Sequence, residues 1–167
     1  MAEVHDLWIR GGTIVDGSGA AHFEGDLLID GSRITRVERG PIEGVSARET
    51  IDASGLLVTP GFVDVHTHYD GQATWDEQLA PSCWHGVTTI VMGNCGVGFA
   101  PVVPGREQTL IEQMEGVEDI PGTALAEGID WRWESFPEYL DALDARRFML
   151  DVGTQVPHAA VRAYVMG

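Results

Sequence analysis

The chain has 167 residues, of which 44% are hydrophobic, so it is long and apolar enough to bury a core. Its 26 acidic and 10 basic residues give a formal net charge of −16, which argues against nucleic acid or an anionic membrane surface as a partner. No apolar run approaches the roughly 18 residues of a membrane helix and no signal peptide is visible, so we expect a cytoplasmic protein.

Short β-branched runs separated by glycine-containing turns fill residues 1–59. The run at 6–15 is interrupted at Gly11-Gly12, which predicts two short strands. Asp30-Gly31 lies between two apolar runs and predicts a hairpin, because this dipeptide readily takes positive φ at a turn. Further short strands are predicted within 49–58. We therefore expect residues 1–59 to form a small antiparallel, β-sandwich-like domain.

A different pattern, with strands separated by longer connections, begins at residue 60. Buried strands are predicted at 62–66, 86–92 and 148–153. The first two are spaced about 25 residues apart, which leaves room for a crossover connection, and such connections join parallel strands. Residues 60–167 therefore predict an α/β domain with a parallel sheet.

Between the second and third strands the sequence predicts two helices and a loop. Apolar residues at helical spacing predict a helix over 106–115. Residues 116–134 read as a loop that exposes Trp131-Arg132-Trp133. Ser135 and Glu138 then form a capping box, which predicts that a helix begins there.

Two histidines one residue apart, His66 and His68, end the first of these strands. Side chains alternate faces along a strand, so the two rings are expected to project the same way. Two neutral imidazoles on one rigid strand form a half-site for a divalent metal such as zinc. Asp64 has the same parity and is predicted to orient a metal-binding histidine.

Other chemically active residues follow the ends of the strands. Cys95 follows the second strand, and neighbouring strands lie about 4.8 Å apart, so its thiol is expected within reach of a zinc ion held by the histidines. His158 follows the third strand and is either a substrate contact or a structural histidine. Tyr69 follows His68 and either lines the mouth of the pocket or packs in a loop. Cys83 is expected to be structural.

The segment Pro60–His68 resembles the first barrel strand of the amidohydrolase superfamily, in which a His-x-His pair binds one or two catalytic metals. The resemblance narrows over residues 61–98. There His66-Thr67-His68-Tyr69-Asp70 and Gly93-Asn94-Cys95-Gly96 are similar to the N-acyl-D-amino-acid deacylase (D-aminoacylase) family. This resemblance implies that Cys95 is a metal ligand in place of a carbamylated lysine, and the chain contains no lysine.

The resemblance covers nearly the whole chain and implies the N-terminal portion of a larger enzyme. It implies that 60–167 form the first three βα units of a TIM-type barrel, since a complete barrel takes roughly 250 residues. It also implies one or two zinc ions, N-acyl amino acids as substrates, and a catalytic aspartate beyond residue 167. The stretch around His158 resembles the family's substrate-side histidine, although Pro157 replaces the glycine often found there.

Two alternatives stay open at this point. Another amidohydrolase would act on a cyclic amide, an ester or a lactone. A truncated, non-catalytic fragment would bind metal or serve as a scaffold. Because three parallel strands leave an open sheet edge, we also expect the isolated chain to be oligomeric or poorly soluble.

Overall fold

The computed structural model describes residues 3–118 and 120–167; Met1 and Ala2 of the predicted β domain, and Asp119, lie outside the described residues. The chain divides into two compact units between Pro60 and Gly61. None of the helices in the described ranges is long and apolar enough to span a membrane.

The first unit is one five-stranded sheet. Its strands are β1 (Glu3–Ile14), β2 (Phe23–Asp30), β3 (Arg33–Arg39), β4 (Val45–Asp52) and β5 (Leu57–Val58). The strand order is β3-β2-β1-β4, and β5 also pairs with β1. Strands β2 and β3 form an antiparallel hairpin with Gly31 at φ +58°, which confirms the predicted Asp30-Gly31 turn.

The expectation of an antiparallel, sandwich-like domain is wrong. Strand β1 pairs in parallel with β4, where Leu7 lies opposite Glu49, and with β5, where Thr13 lies opposite Leu57. All five strands belong to a single mixed sheet. Turn residues predict pairing between consecutive strands, whereas the parallel pairs join strands that are distant in sequence and leave no local signal.

The predicted break at Gly11-Gly12 is also wrong, since β1 continues through it. The register shifts there, between Ile9 and Gly12, so a β-bulge replaces the break. The backbone N–H of Gly11 donates a 2.8 Å hydrogen bond to the carboxylate of Asp26, which is buried. This bond satisfies an amide that the bulge removes from the ladder.

Over residues 61–118 and 120–167, the second unit contains a three-stranded sheet, four α-helices and two short 3₁₀ helices (Gln72–Thr74 and Ser82–His85). The strands are β6 (Phe62–Thr67), β7 (Val87–Met92) and β8 (Asp151–Thr154), and the helices are α1 (Glu107–Glu118), α2 (Gly122–Gly128), α3 (Phe136–Asp144) and α4 (His158–Met166). The order is β6-β7-β8 and both pairs are parallel, which confirms the predicted parallel sheet. The carboxyl ends of the three strands therefore lie at one edge of the sheet.

Helices α1 and α3 pack apolar faces into the core of this unit. Leu110, Ile111 and Met114 of α1 are buried, at the spacing of one helix face. Helix α3 begins at the predicted capping box: the Ser135 hydroxyl accepts from the Glu138 amide, and the Glu138 carboxylate accepts from the Ser135 amide.

Three expectations for this unit are wrong. The predicted loop 116–134 contains α2, whose N-cap is Pro121; proline is tolerated at a helix start because its missing N–H would have no helical partner. Trp133 is buried rather than exposed, and its indole N–H donates to the Phe99 carbonyl at 2.7 Å. The third strand also begins at Asp151, three residues later than predicted.

Candidate metal centre

The two histidines lie where β6 leaves the sheet. In the pairing of β6 with β7, Asp64 lies opposite Ile90 and Thr67 lies opposite Met92. Three residues along β6 therefore match only two along β7. This irregularity lies between Asp64 and Thr67, the segment that contains His66, and it interrupts the simple alternation of faces. The ring centroids of His66 and His68 are 5.5 Å apart, with the ring planes inclined at 49°.

Asp64 supports this irregularity through the backbone. Its carboxylate accepts a 3.2 Å hydrogen bond from the backbone N–H of His66. Within the described residues, no hydrogen bond joins Asp64 to an imidazole ring. Asp64 therefore contacts His66 through the main chain rather than through its ring.

Cys95 is carried by a tight loop that follows β7. Within this loop the Gly96 amide donates to the Gly93 carbonyl at 3.1 Å, and the side-chain amide of Asn94 donates to the Val65 carbonyl. The Asn94 bond ties the loop to β6 directly before His66. Gly93 has φ +83°, and a Cβ there would lie 2.4 Å from the Gln155 carbonyl oxygen, so only glycine fits.

His66, His68 and Cys95 converge at this edge of the sheet. The Nε2 atom of His66 lies 2.7 Å from the Cys95 sulfur. One ligand atom from each of the three residues lies within 4.8 Å of the other two, and no other such group of three is found in residues 3–118 and 120–167. The sequence-predicted metal residues therefore lie together.

The chemistry of these residues fits a zinc ion. Two imidazole nitrogens and a thiolate are ligands that zinc favours. The Nδ1 atom of His68 is buried and has no hydrogen-bond partner within the described parts of the chain. A buried nitrogen without a partner costs free energy, and coordination of an ion by the histidine pair would offset that cost.

Two carboxylates belong to this region: Asp70, two residues after His68 in the motif that carries the family resemblance, and Glu118, which the sequence did not single out. Glu118, at the end of α1, places Oε1 3.1 Å from Nε2 of His68. Asp70 is only 2% exposed and its Oδ2 has no partner among the described residues. Burial raises the pKa of Asp70 to about 7, and the negative charge of Glu118 adds to this rise.

The two predicted substrate residues have different environments. His158 is exposed at the start of α4, and the next amide, of Ala159, donates to the Gly96 carbonyl at 2.7 Å. His158 therefore lies beside the loop that carries Cys95. Tyr69 is buried in the core, and its hydroxyl lies 2.8 Å from the Ser82 hydroxyl oxygen.

Known proteins resemble this chain along most of its length. The amidohydrolase family matches residues 49–167. A D-aminoacylase from Alcaligenes xylosoxydans xylosoxydans is 37% identical over 161 residues, which cover 96% of this chain and 31% of the relative. The structure of a D-aminoacylase with a binuclear metal centre is 35% identical with a TM-score of 0.78, covering 97% of this chain and 31% of that one.

A second structure is the N-acyl-D-glutamate deacylase of Bordetella bronchiseptica, complexed with zinc and a phosphonate inhibitor. It is 34% identical with a TM-score of 0.65, covering 96% of this chain and 31% of that one. The chain thus spans about a third of the length of these relatives. The family match covers well over half of the chain and confirms the resemblance noted in the sequence. The chain belongs to the amidohydrolase family.

Proposed function

We propose that the protein is a zinc-dependent amidohydrolase that removes the acyl group from N-acyl-D-amino acids, with the metal held by His66, His68 and Cys95. The observation that carries this proposal is the convergence of two imidazoles and one thiol, with ligand atoms within 4.8 Å of one another, at the carboxyl edge of a parallel sheet. Because the chain spans about a third of its relatives, we assign the activity to the complete enzyme.

The relatives support the identity and number of the metals. The D-aminoacylase structure has a binuclear centre, described as activated by one metal and attenuated by the second. The N-acyl-D-glutamate deacylase contains zinc together with a phosphonate that mimics the tetrahedral intermediate. We therefore propose one or two zinc ions, with the first sufficient for activity.

The residues of this chain would hold and orient the metal-binding groups during amide hydrolysis. When bound, a zinc ion would polarise the substrate carbonyl and lower the pKa of a bound water. Asp64 holds the backbone at His66, and Asn94 holds the loop of Cys95 against β6, so two ligands are fixed before substrate binds. We assign no catalytic base to these 167 residues and propose an aspartate outside them.

His158 remains the proposed substrate contact. Its exposed position beside the Cys95 loop, fixed by the bond between Ala159 and Gly96, supports this role. For Tyr69, burial and the contact with Ser82 favour packing over a direct contact with substrate.

We also propose that residues 60–167 are the first three βα units of a TIM-type barrel and that residues 1–59 are a separate domain. The parallel order β6-β7-β8 and the TM-score of 0.78 to a D-aminoacylase support the barrel. The outer strand β6 has one side unpaired, and Phe62, Val63 and Val65 are each more than half exposed. We therefore propose that the isolated chain self-associates, which light scattering of the purified chain tests.

The function is tested by amine release from N-acetyl-D-amino acids by the zinc-loaded enzyme, with the L-enantiomers and a cyclic amide as comparison substrates. We expect release from the D-substrates that is lost after chelation and restored by zinc. The Cys95→Ser variant should bind zinc more weakly, with a matching loss of activity, whereas Cys83→Ser is the matched control. Zinc-independent release, or equal zinc affinity of Cys95→Ser and wild type, would refute the proposal.

A further inference from the structure

The imidazole of His68 has a charged neighbour that lies outside the three-residue cluster. Oε1 of Glu118 lies 3.1 Å from Nε2 of His68, and both side chains are largely shielded, with exposures of 26% and 16%. The other ring nitrogen, Nδ1, is buried without a partner among the described residues. Nε2 of the ring therefore contacts a carboxylate, while Nδ1 has no partner in residues 3–118 and 120–167.

The position of Glu118 on its helix does not explain its presence there. Glu118 is the last residue of α1, and the last turn of that helix contains no basic residue. The carboxyl end of a helix carries partial negative charge, so a carboxylate at this point is electrostatically unfavourable for the helix. Within the described residues, His68 is the polar side chain that this carboxylate contacts.

Glu118 is also placed differently from the three candidate ligands. The residues whose ligand atoms all lie within 4.8 Å of one another are His66, His68 and Cys95, and Glu118 does not belong to that group. Its carboxylate contacts one member of the group, His68, at Nε2. Metal-binding histidines commonly have such a carboxylate on one nitrogen, which fixes the ring orientation and increases its basicity.

We propose that Glu118 is a positioning residue that fixes the ring of His68 for metal binding. The inference rests on the proposed zinc site, because it assigns Glu118 a role through His68. It predicts that loss of the carboxylate weakens zinc binding without unfolding the protein.

The test is zinc affinity, measured by competition with a chromophoric chelator, in wild type, Glu118→Ala, Glu118→Gln and Glu112→Ala. Glu112 is the matched control: it is an exposed glutamate of the same helix, and its carboxylate accepts a 3.1 Å hydrogen bond from the side chain of Gln108. We expect Glu118→Ala to lose about 10- to 100-fold in affinity. Glu118→Gln, which keeps an acceptor oxygen at the same reach, should recover part of the loss.

Thermal unfolding of the metal-free variants separates positioning from folding. We expect metal-free Glu118→Ala and Glu112→Ala both to be fully folded at the temperature of the zinc titration, together with unequal zinc affinities. Zinc affinities within twofold of each other would overturn the inference. Cys95→Ser in the same series distinguishes the two proposals, because equal affinity of that variant and wild type refutes the metal site itself.

A measurement on the wild type keeps the inference testable if Glu118→Ala does not fold. An ionised carboxylate only accepts hydrogen bonds, so a neutral His68 held by Glu118 must carry its proton on Nε2. Ring 1H–15N correlation spectra of the metal-free protein should therefore show the Nε2–H tautomer for His68. If the proton were on Nδ1 instead, the unprotonated Nε2 would face the Glu118 carboxylate, and two hydrogen-bond acceptors would be in contact. That result would overturn the inference.

Discussion

Replacement of Gly93 by alanine tests whether the loop after β7 positions Cys95. Gly93 has φ +83°, and an added Cβ would lie 2.4 Å from the Gln155 carbonyl oxygen. Real Cβ contacts essentially never fall below 3.0 Å, so the two backbone segments must separate by at least 0.6 Å. Metal–ligand distances tolerate only about 0.2 Å, and the displaced loop carries Cys95 two residues later.

The loss of folding stability expected for Gly93→Ala has two parts, and the control variant Gly105→Ala separates them. The left-handed conformation costs an L-residue roughly 1–2 kcal/mol. Gly105 has nearly the same φ, +85°, but an added Cβ there meets nothing within 4 Å. Gly105→Ala should therefore lose only this backbone term. Gly93→Ala should lose about 1–3 kcal/mol more, because the Cβ overpacks against backbone.

Urea denaturation followed by tryptophan fluorescence measures the difference. Of the five tryptophans, four (Trp75, Trp84, Trp131 and Trp133) lie in the unit after residue 60, so the signal reports mainly on that unit. We expect the order wild type, Gly105→Ala, Gly93→Ala in decreasing stability, and at least about tenfold weaker zinc binding for Gly93→Ala alone. Equal stability and equal zinc affinity of the two variants would refute the argument that close backbone packing positions Cys95.

Two further predictions concern helix α3. The buried hydroxyl of Tyr139 donates to the Asp70 carbonyl at 2.7 Å, so Tyr139→Phe should destabilise the protein by about 1–3 kcal/mol in urea, and a loss below roughly 0.5 kcal/mol would contradict this. Hydrogen bonds from the backbone amides of Ser135 and Glu134 lower the pKa of Glu138 from 4.5. The ionised carboxylate therefore stabilises the folded protein fully above pH 4.5, and this stabilisation is lost as the pH falls through the lowered pKa. Glu138→Gln should therefore lose less stability than wild type between roughly pH 5 and 3, and parallel curves would exclude this linkage.

The part of the site that the sequence predicted consists of residues next to strand ends. His66 and His68 directly follow a run of β-branched residues, and Cys95 follows another. Once both runs are strands and the connection is a crossover, parallel pairing brings their carboxyl ends together. The meeting of these three side chains therefore depends only on local patterns and on one rule of topology.

Details that depend on register were less predictable. The parity argument for Asp64 assumed uninterrupted alternation, but the irregularity between Asp64 and Thr67 adds a residue on β6. A bulge without glycine has no reliable signature in a single sequence. In β1 the cause is different: Gly11-Gly12 is compatible with either a turn or a bulge, and the buried Asp26 carboxylate that supports the bulge lies far away in sequence.

Glu118 shows why the environment of a ligand is harder to predict than the ligand itself. It lies 50 positions after His68, at the end of a helix whose apolar face predicts packing but not the direction of its final carboxylate. Its contact requires α1 to dock on the core through Leu110, Ile111 and Met114, and each of these is a generic apolar residue. If Glu118 positions His68 as proposed, we expect zinc affinity to depend on the packing of α1: a core substitution that tilts this helix should weaken metal binding without altering His66, His68 or Cys95.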